Sequence, residues 1–147
     1  MDKRRAIYEI ACAHDILILE DDPYWFLHYR EGGDQPASFF SMDEDLRVLR
    51  FDSLSKVLSS GLRLGFVAGP LELVERMQLD QQVSALHACG VSQALMVSIL
   101  DSWGVEGFQN HVEGIRQFYK ERRDICHRLA TKHLSDLAEW TVPSAGW

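Results

Sequence analysis

Cysteine is scarce. Cys12, Cys89 and Cys126 are odd in number and lie far apart in 147 residues, so no disulfide framework is expected, and free thiols in a reducing compartment fit best. No CxxC spacing occurs, and none of His14, His28, His87, His111, His127 and His133 lies three or four residues from another, so nothing points to a metal site. No apolar run reaches membrane-spanning length. The charged start Met1-Asp2-Lys3-Arg4-Arg5 is not followed by the apolar segment of a signal peptide. No GxxxxGK[ST] or GxGxxG pattern follows an apolar run, which ranks a nucleotide-binding module low, and no internal repeat or low-complexity linker is present. Basic residues are outnumbered, 15 against 22 acidic, for a net charge of −7. Those near the start (Lys3, Arg4, Arg5) are separate from those near the end (Lys120, Arg122, Arg123), so there is no stripe for nucleic acid.

What remains is a chain 46% hydrophobic and 25% charged, the composition of a soluble globular protein of about one domain. Ile7, Ile10, Ala11 and His14 recur at helical spacing and predict a helix over Asp2–His14. Ile16 to Leu19 is a continuous apolar run, expected of a parallel strand, Ile16–Glu20, buried on both faces. The stretch from Tyr24 to Asp45 contains Gly32, Gly33 and Pro36, breakers of regular structure, and its Trp25, Phe26, Tyr29, Phe39 and Phe40 are expected to pack on the domain. Strands are predicted at Arg47–Phe51 and Leu64–Ala68. A helix follows with Pro70 at its first position and a buried stripe of Leu71, Val74 and Met77, fading between Ser84 and Gly90. Two more helices are predicted. One runs over Val91–Trp103, with Val91, Leu95, Ile99 and Trp103 as core, and the other over Glu106–Leu134. A strand at Ala138–Val142 ends the pattern.

The chemistry concentrates in Ser53-Leu54-Ser55-Lys56 and the following Arg63-Leu64-Gly65. Serine hydroxyls and a guanidinium fork suit an anionic oxygen such as phosphate. A lysine amine is mostly protonated at neutral pH unless its surroundings change that, so a lysine beside a phosphate cradle suggests a partner that carries both a carbonyl and a phosphate. Pyridoxal phosphate has both, and forms a Schiff base with lysine. A second polar group, Glu20-Asp21-Asp22-Pro23-Tyr24, stands just past the first strand, where open α/β sheets bind ligands.

Asp21-x-x-Tyr24, Ser53-x-Ser55-Lys56 and Arg63-x-Gly65 together resemble the fold-type I pyridoxal-phosphate aminotransferases of classes I and II. Asp21 to Leu27, Ser59 to Phe66 and Leu137-Ala138-Glu139-Trp140 resemble the kynurenine/α-aminoadipate branch of that family, and nearly the whole chain is covered. The resemblance implies an α/β fold: a mixed, mostly parallel sheet with flanking helices from the large domain, and the start of a small α/β domain. It implies residues 1–104 as the C-terminal part of the large domain, 105–134 as a long bridging helix and 135–147 as the beginning of the small domain. It further implies that Lys56 carries the cofactor and moves the proton in catalysis, that Asp21 faces the pyridine nitrogen, that Tyr24 meets the ring oxygen, and that Ser53, Ser55 and Arg63 take the phosphate. Asp21 is preferred to Asp22 because its spacing to the tyrosine matches the family and because Pro23 biases Asp22 toward extended backbone.

The resemblance also implies transfer of an amino group from an amino acid to a 2-oxo acid such as 2-oxoglutarate. It implies a homodimer when full length, with no membrane or nucleic-acid partner, in the cytoplasm or mitochondrial matrix. With three strands and no stacking residue for the cofactor ring, the chain reads as a fragment that alone does not transaminate. Two alternatives stay open: an aminotransferase-like sensor domain of a regulator, and an inactive truncated product.

Overall fold

The computed structural model describes residues 3–29 and 35–146. The expected breakers Gly32 and Gly33, the helix position Asp2 and the terminal Trp147 lie outside them.

Helix α1, Lys3–Ala13, is closed by a left-handed residue, Asp15 at φ 51°, which turns the chain so that the Ile16 N–H donates to the Ala11 carbonyl at 2.9 Å. The buried Arg47 reinforces this end, its Nη1 donating to the carbonyls of Ala11 (3.4 Å) and Ile16 (3.1 Å). The reversal uses up Ile16 and Leu17, so strand β1 is Ile18–Asp21, later than the apolar run suggested. Asp21 is therefore the last residue of a strand and not the first of a loop.

Strand β2, Val48–Ser53, pairs in parallel with β1, and strand β3, Gly65–Ala68, pairs antiparallel with β2, giving a mixed sheet in the order β1-β2-β3. Val48, Leu49, Val57 and Leu64 are buried, as is Ala11 on α1. The two-sided burial expected of β1 is not found, since Leu19 is 66% exposed. Among the described residues β1 pairs with β2 alone, and nothing covers its outer face.

Helix α2, Leu71–Ser84, takes Pro70 as its N-cap (φ −57°, ψ 134°), one position before the expected place. Its predicted stripe is not core: Leu71 is 67% exposed, and no residue of the helix is buried. Helix α3, Gly90–Leu134, joins the two predicted later helices across Gly104, whose φ of 60° and ψ of −169° suit glycine and break the helical path. Here too the expected core positions Val91, Leu95 and Trp103 are exposed, and Met96 and Val112 are the buried residues of α3. Helical periodicity identifies an apolar face, but not what meets it. No strand forms over 138–142; the nearest pairing is an isolated bridge between His28 and Ala145, flanked by Tyr29 N–H to Ser144 O at 3.0 Å.

The described residues divide into two compact units. One holds the chain through Pro23 and Pro36–Val97; the other holds the chain between Tyr24 and Gln35 and everything from Ser98. The sheet and the lysine loop belong to the first. In the second, Phe26 packs edge-on against Trp25 and Phe108 at ring distances of 5.2 and 5.6 Å, Leu27 is fully buried, and Arg123 lies over Tyr29. No helix among the described residues is long and apolar enough to cross a membrane.

Candidate active site

Because β1 and β2 run in parallel, their carboxyl ends lie at one edge of the sheet, and because β3 returns antiparallel, its start lies at that edge too. The register pairs Asp21 with Phe51 and Ser53 with Gly65. Asp21, Ser53 and the approach to Gly65 are thus brought to the same edge, and the loop between Ser53 and Gly65 stands over it.

That loop is ordered by its own short-range bonds. The Leu54 N–H donates to the Leu64 carbonyl at 3.0 Å and closes the base, and the Leu58 N–H reaches the Leu54 carbonyl at 2.9 Å, making one helical turn that contains Ser55 and Lys56. Val57, 1% exposed, anchors the turn beside the lysine. The Ser53 hydroxyl oxygen accepts the Ser55 N–H at 3.2 Å, leaving its own O–H to donate elsewhere. Further on, a 3-10 turn at Ser60–Leu62 starts with the Ser59 hydroxyl accepting the Gly61 N–H at 3.3 Å. It ends on Arg63, held in the left-handed region at φ 51°, ψ 40°, with Nη1 3.4 Å from the Ser60 carbonyl. A non-glycine residue in that conformation costs about 1–3 kcal/mol, and such strain collects at functional sites. Ser53, Ser55 and Lys56 are half-buried; Arg63 and Asp21 are exposed. Tyr24, the remaining candidate, is half-buried in the second unit, at the N-cap of a 3-10 turn, Trp25–Leu27.

Arg50 and Asp52, which the sequence did not single out, join Glu20, Arg4 and Asp22 in a charged cluster at these strands. Glu20 is 6% exposed; its carboxylate accepts the N–H groups of Phe39 (2.8 Å) and Phe40 (3.0 Å) and lies 3.6 Å from Arg50. Arg50, 8% exposed, grips Asp52 with Nε at 2.6 Å and Nη2 at 3.2 Å. Burial pulls the Arg50 guanidinium down, but Asp52, Glu20 and Asp22 outweigh it and raise its pKa. Arg4 bridges Glu20 at 3.9 Å and Asp22 at 3.8 Å. Asp22 is thereby engaged, whereas among the described residues no side-chain hydrogen bond or ion pair takes up the Asp21 carboxylate. The one trace of this cluster in the sequence is the alternation Glu20-x-Asp22 and Arg50-x-Asp52, which in strands places each pair on one face.

Carboxylate, amine, hydroxyls and guanidinium at one sheet edge form a donor set that fits pyridoxal phosphate: an anion for the pyridinium, an amine for the aldehyde, and hydroxyls with a guanidinium for the phosphate. The same arrangement offers nothing specific to a purine or a ribose.

The family model for aminotransferase class I and II matches residues 2–144. The chain belongs to that family. It is 50% identical over 145 residues to the mitochondrial kynurenine/alpha-aminoadipate aminotransferase of Rattus norvegicus, with 99% of this chain aligned to 34% of the relative. An aromatic amino acid aminotransferase of Dictyostelium discoideum is 37% identical over 151 residues, 99% of this chain and 31% of the relative. Among solved structures, the aminotransferase Aro8 of Candida albicans superposes with a TM-score of 0.91 at 34% identity over 97% of this chain and 34% of that one. A Pyrococcus horikoshii kynurenine aminotransferase solved with PMP superposes at 0.89 with 28% identity, over 99% of this chain and 35% of its own. These neighbours carry the fold-type I architecture. The chain spans about a third of the length of the relatives it matches.

Proposed function

We propose that this chain forms the lysine-bearing part of the cofactor site of a pyridoxal-phosphate aminotransferase. Its amino donor is of the kynurenine or α-aminoadipate kind, and its acceptor is a 2-oxo acid such as 2-oxoglutarate. The observation that supports this most is the gathering of Asp21, Ser53, Ser55, Lys56 and Arg63 at one sheet edge by strand register.

When bound, pyridoxal phosphate supplies an electron sink that makes the amino acid α-proton removable. Lys56 would hold the group at its aldehyde through Nζ, and its amine would serve as the base and acid that moves the proton of the substrate α-carbon. Asp21 would hold a proton on the pyridine nitrogen by charge and hydrogen bond. Tyr24 would meet the ring oxygen through its hydroxyl. Ser53 and Ser55 would donate their hydroxyls to the phosphate, and Arg63 would present its fork to the same oxygens.

In the same reading, residues 1–104 are the C-terminal part of the large domain, 105–134 its bridging helix and 135–147 the start of the small domain. The break at Gly104 and the end of α3 at Leu134 support those limits. The complete enzyme acts as a homodimer, and the names of its mitochondrial relatives favour the matrix over the cytoplasm.

The test is titration of the chain with pyridoxal phosphate, following the visible absorbance of the lysine adduct in parent and Lys56→Ala proteins. A saturable signal in the parent that is lost in Lys56→Ala is expected. Equal signals in both contradict the proposal.

A further inference from the structure

We propose that Glu20, Arg50 and Asp52 are positioning residues for the edge that carries Asp21 and Ser53. This deepens the cofactor-site reading above and rests on it.

Along a strand, successive side chains point to opposite faces. Glu20 and Arg50 stand opposite each other in the parallel register and meet on one face, so Asp21 and Ser53, each one or three positions along, belong to the other. The backbone alone holds these strand ends weakly. The last bond of the ladder, Asp22 N–H to Phe51 O, is 3.3 Å long, and ends of strands fray.

The side chains behind supply what the ladder lacks. Arg50 clasps Asp52 on its own strand with both nitrogens and reaches Glu20 on the next at 3.6 Å. Glu20 ties β1 to the backbone of Phe39 and Phe40. Arg4 reaches from α1 to Glu20 and Asp22, and donates to the Ala37 carbonyl at 2.6 Å. Each carboxylate on that face therefore has a cation, and the two strands cannot slide past one another without breaking a buried contact. Buried ion clusters add little net stability compared with apolar packing of the same volume. What this one supplies is a fixed distance between neighbouring strand ends, on which a site built from Asp21, Ser53 and the Lys56 turn depends.

The experiment uses the chain as it is, whose lysines are Lys3, Lys56, Lys120 and Lys132. Pyridoxal phosphate is added, adducts are reduced with borohydride, and labelling at Lys56 is expressed relative to Lys120 on α3, which is half-buried like Lys56. The pH midpoint of the bound cofactor's absorbance is read in parallel. The variants are Arg50→Met and Glu20→Gln. Tyr8→Phe is the control, because it loosens the opposite end of β2, where Tyr8 donates to Asp43 at 3.0 Å, and touches none of the cluster.

Both variants should lower the Lys56 to Lys120 ratio about tenfold, within the ~100-fold that a misplacement of 1 Å can cost, and should move the pH midpoint. Tyr8→Phe, at equal or greater loss of stability, should change neither. If the parent shows no preference for Lys56, the functional reading falls and this inference with it. If the parent prefers Lys56 and the variants match it, the positioning role alone is overturned. A change in Tyr8→Phe as large as in the variants also overturns it, as does failure of both variants to fold, since either reduces the cluster to a stability element.

Discussion

Ser53 and Gly65 face each other across the antiparallel pair of β2 and β3, and the backbones there are so close that a Cβ on Gly65 meets the Asp52 carbonyl oxygen at 2.7 Å. Backbone is on the receiving side, so no side-chain rotation can relieve the clash. Gly65→Ala should therefore spread the base of the lysine loop and cost about 1–3 kcal/mol, the usual range for overpacking. Urea denaturation measures it; a variant as stable as the parent would mean that the strands part freely at this point.

Asp21 and Asp22 are adjacent carboxylates with different surroundings, since Asp22 lies 3.8 Å from Arg4 while Asp21 has no such partner among the described residues. Asp21→Asn should weaken pyridoxal-phosphate binding about tenfold, the low end for a lost charge-assisted hydrogen bond. Asp22→Asn should leave binding unchanged and cost about 0.2–1 kcal/mol of stability, as partly exposed ion pairs do. Titration and thermal unfolding of both variants check this, and equal losses of affinity would contradict the assignment.

The candidate residues are legible in the sequence because they are local. Asp21, Tyr24, Ser53, Ser55 and Lys56 lie within a few positions of strand ends that apolar runs mark, and the loop that orients Lys56 is closed by bonds between near neighbours. Glu20 was not legible as an anchor because its partners Phe39 and Phe40 lie 19 and 20 positions away in an irregular stretch. Leu19, Leu71 and Val91 are exposed where the apolar pattern predicts burial, for a different reason. A run or stripe of apolar side chains records that a surface meets something, and these three side chains are each about two-thirds exposed. The strand expected at 138–142 failed on pairing: alternation there had no neighbouring ladder to join, and the chain bridges to His28 only at Ala145.

Asp43 caps the turn that leads into β2. Burial pushes its carboxyl up, but the N–H groups of Val48, Arg47 and Asp45 and the Tyr8 hydroxyl outweigh that and hold it below the ordinary carboxylate value. A carboxyl with a lowered folded-state pKa contributes stability above its unfolded value of about 3.9 and loses it as pH falls through the folded one. Stability should therefore decline on acidification below about pH 4 less steeply in Asp43→Ala than in the parent, with Asp43→Ala costing about 2 kcal/mol at neutral pH through its orphaned donors. Urea midpoints between pH 3 and 7 test both parts, and parallel pH profiles would contradict the capping role.

Cys89 sits immediately before α3. The N–H groups of Ser92 and Val91 and the Ser92 hydroxyl stabilise its thiolate and lower its pKa. Alkylation of Cys89 by iodoacetamide, followed peptide by peptide, should show a midpoint below the ~8.5 of an ordinary thiol. Ser92→Pro, which removes one of those donors, should raise the midpoint. A parent value at or above the ordinary one would show that the helix end does not act on the thiol.

Lys56, held in the turn between Ser53 and Arg63, is the residue proposed to take the cofactor. Borohydride reduction of the chain with pyridoxal phosphate, followed by peptide mapping, addresses it most directly, because the only competing lysines are Lys3, Lys120 and Lys132. The phosphopyridoxyl group should be found on the peptide containing Lys56 well above the level on the other three, and that preference should disappear when Arg63→Ala and Ser55→Ala are combined. Label spread evenly over the lysines, or concentrated on one other than Lys56, would contradict it.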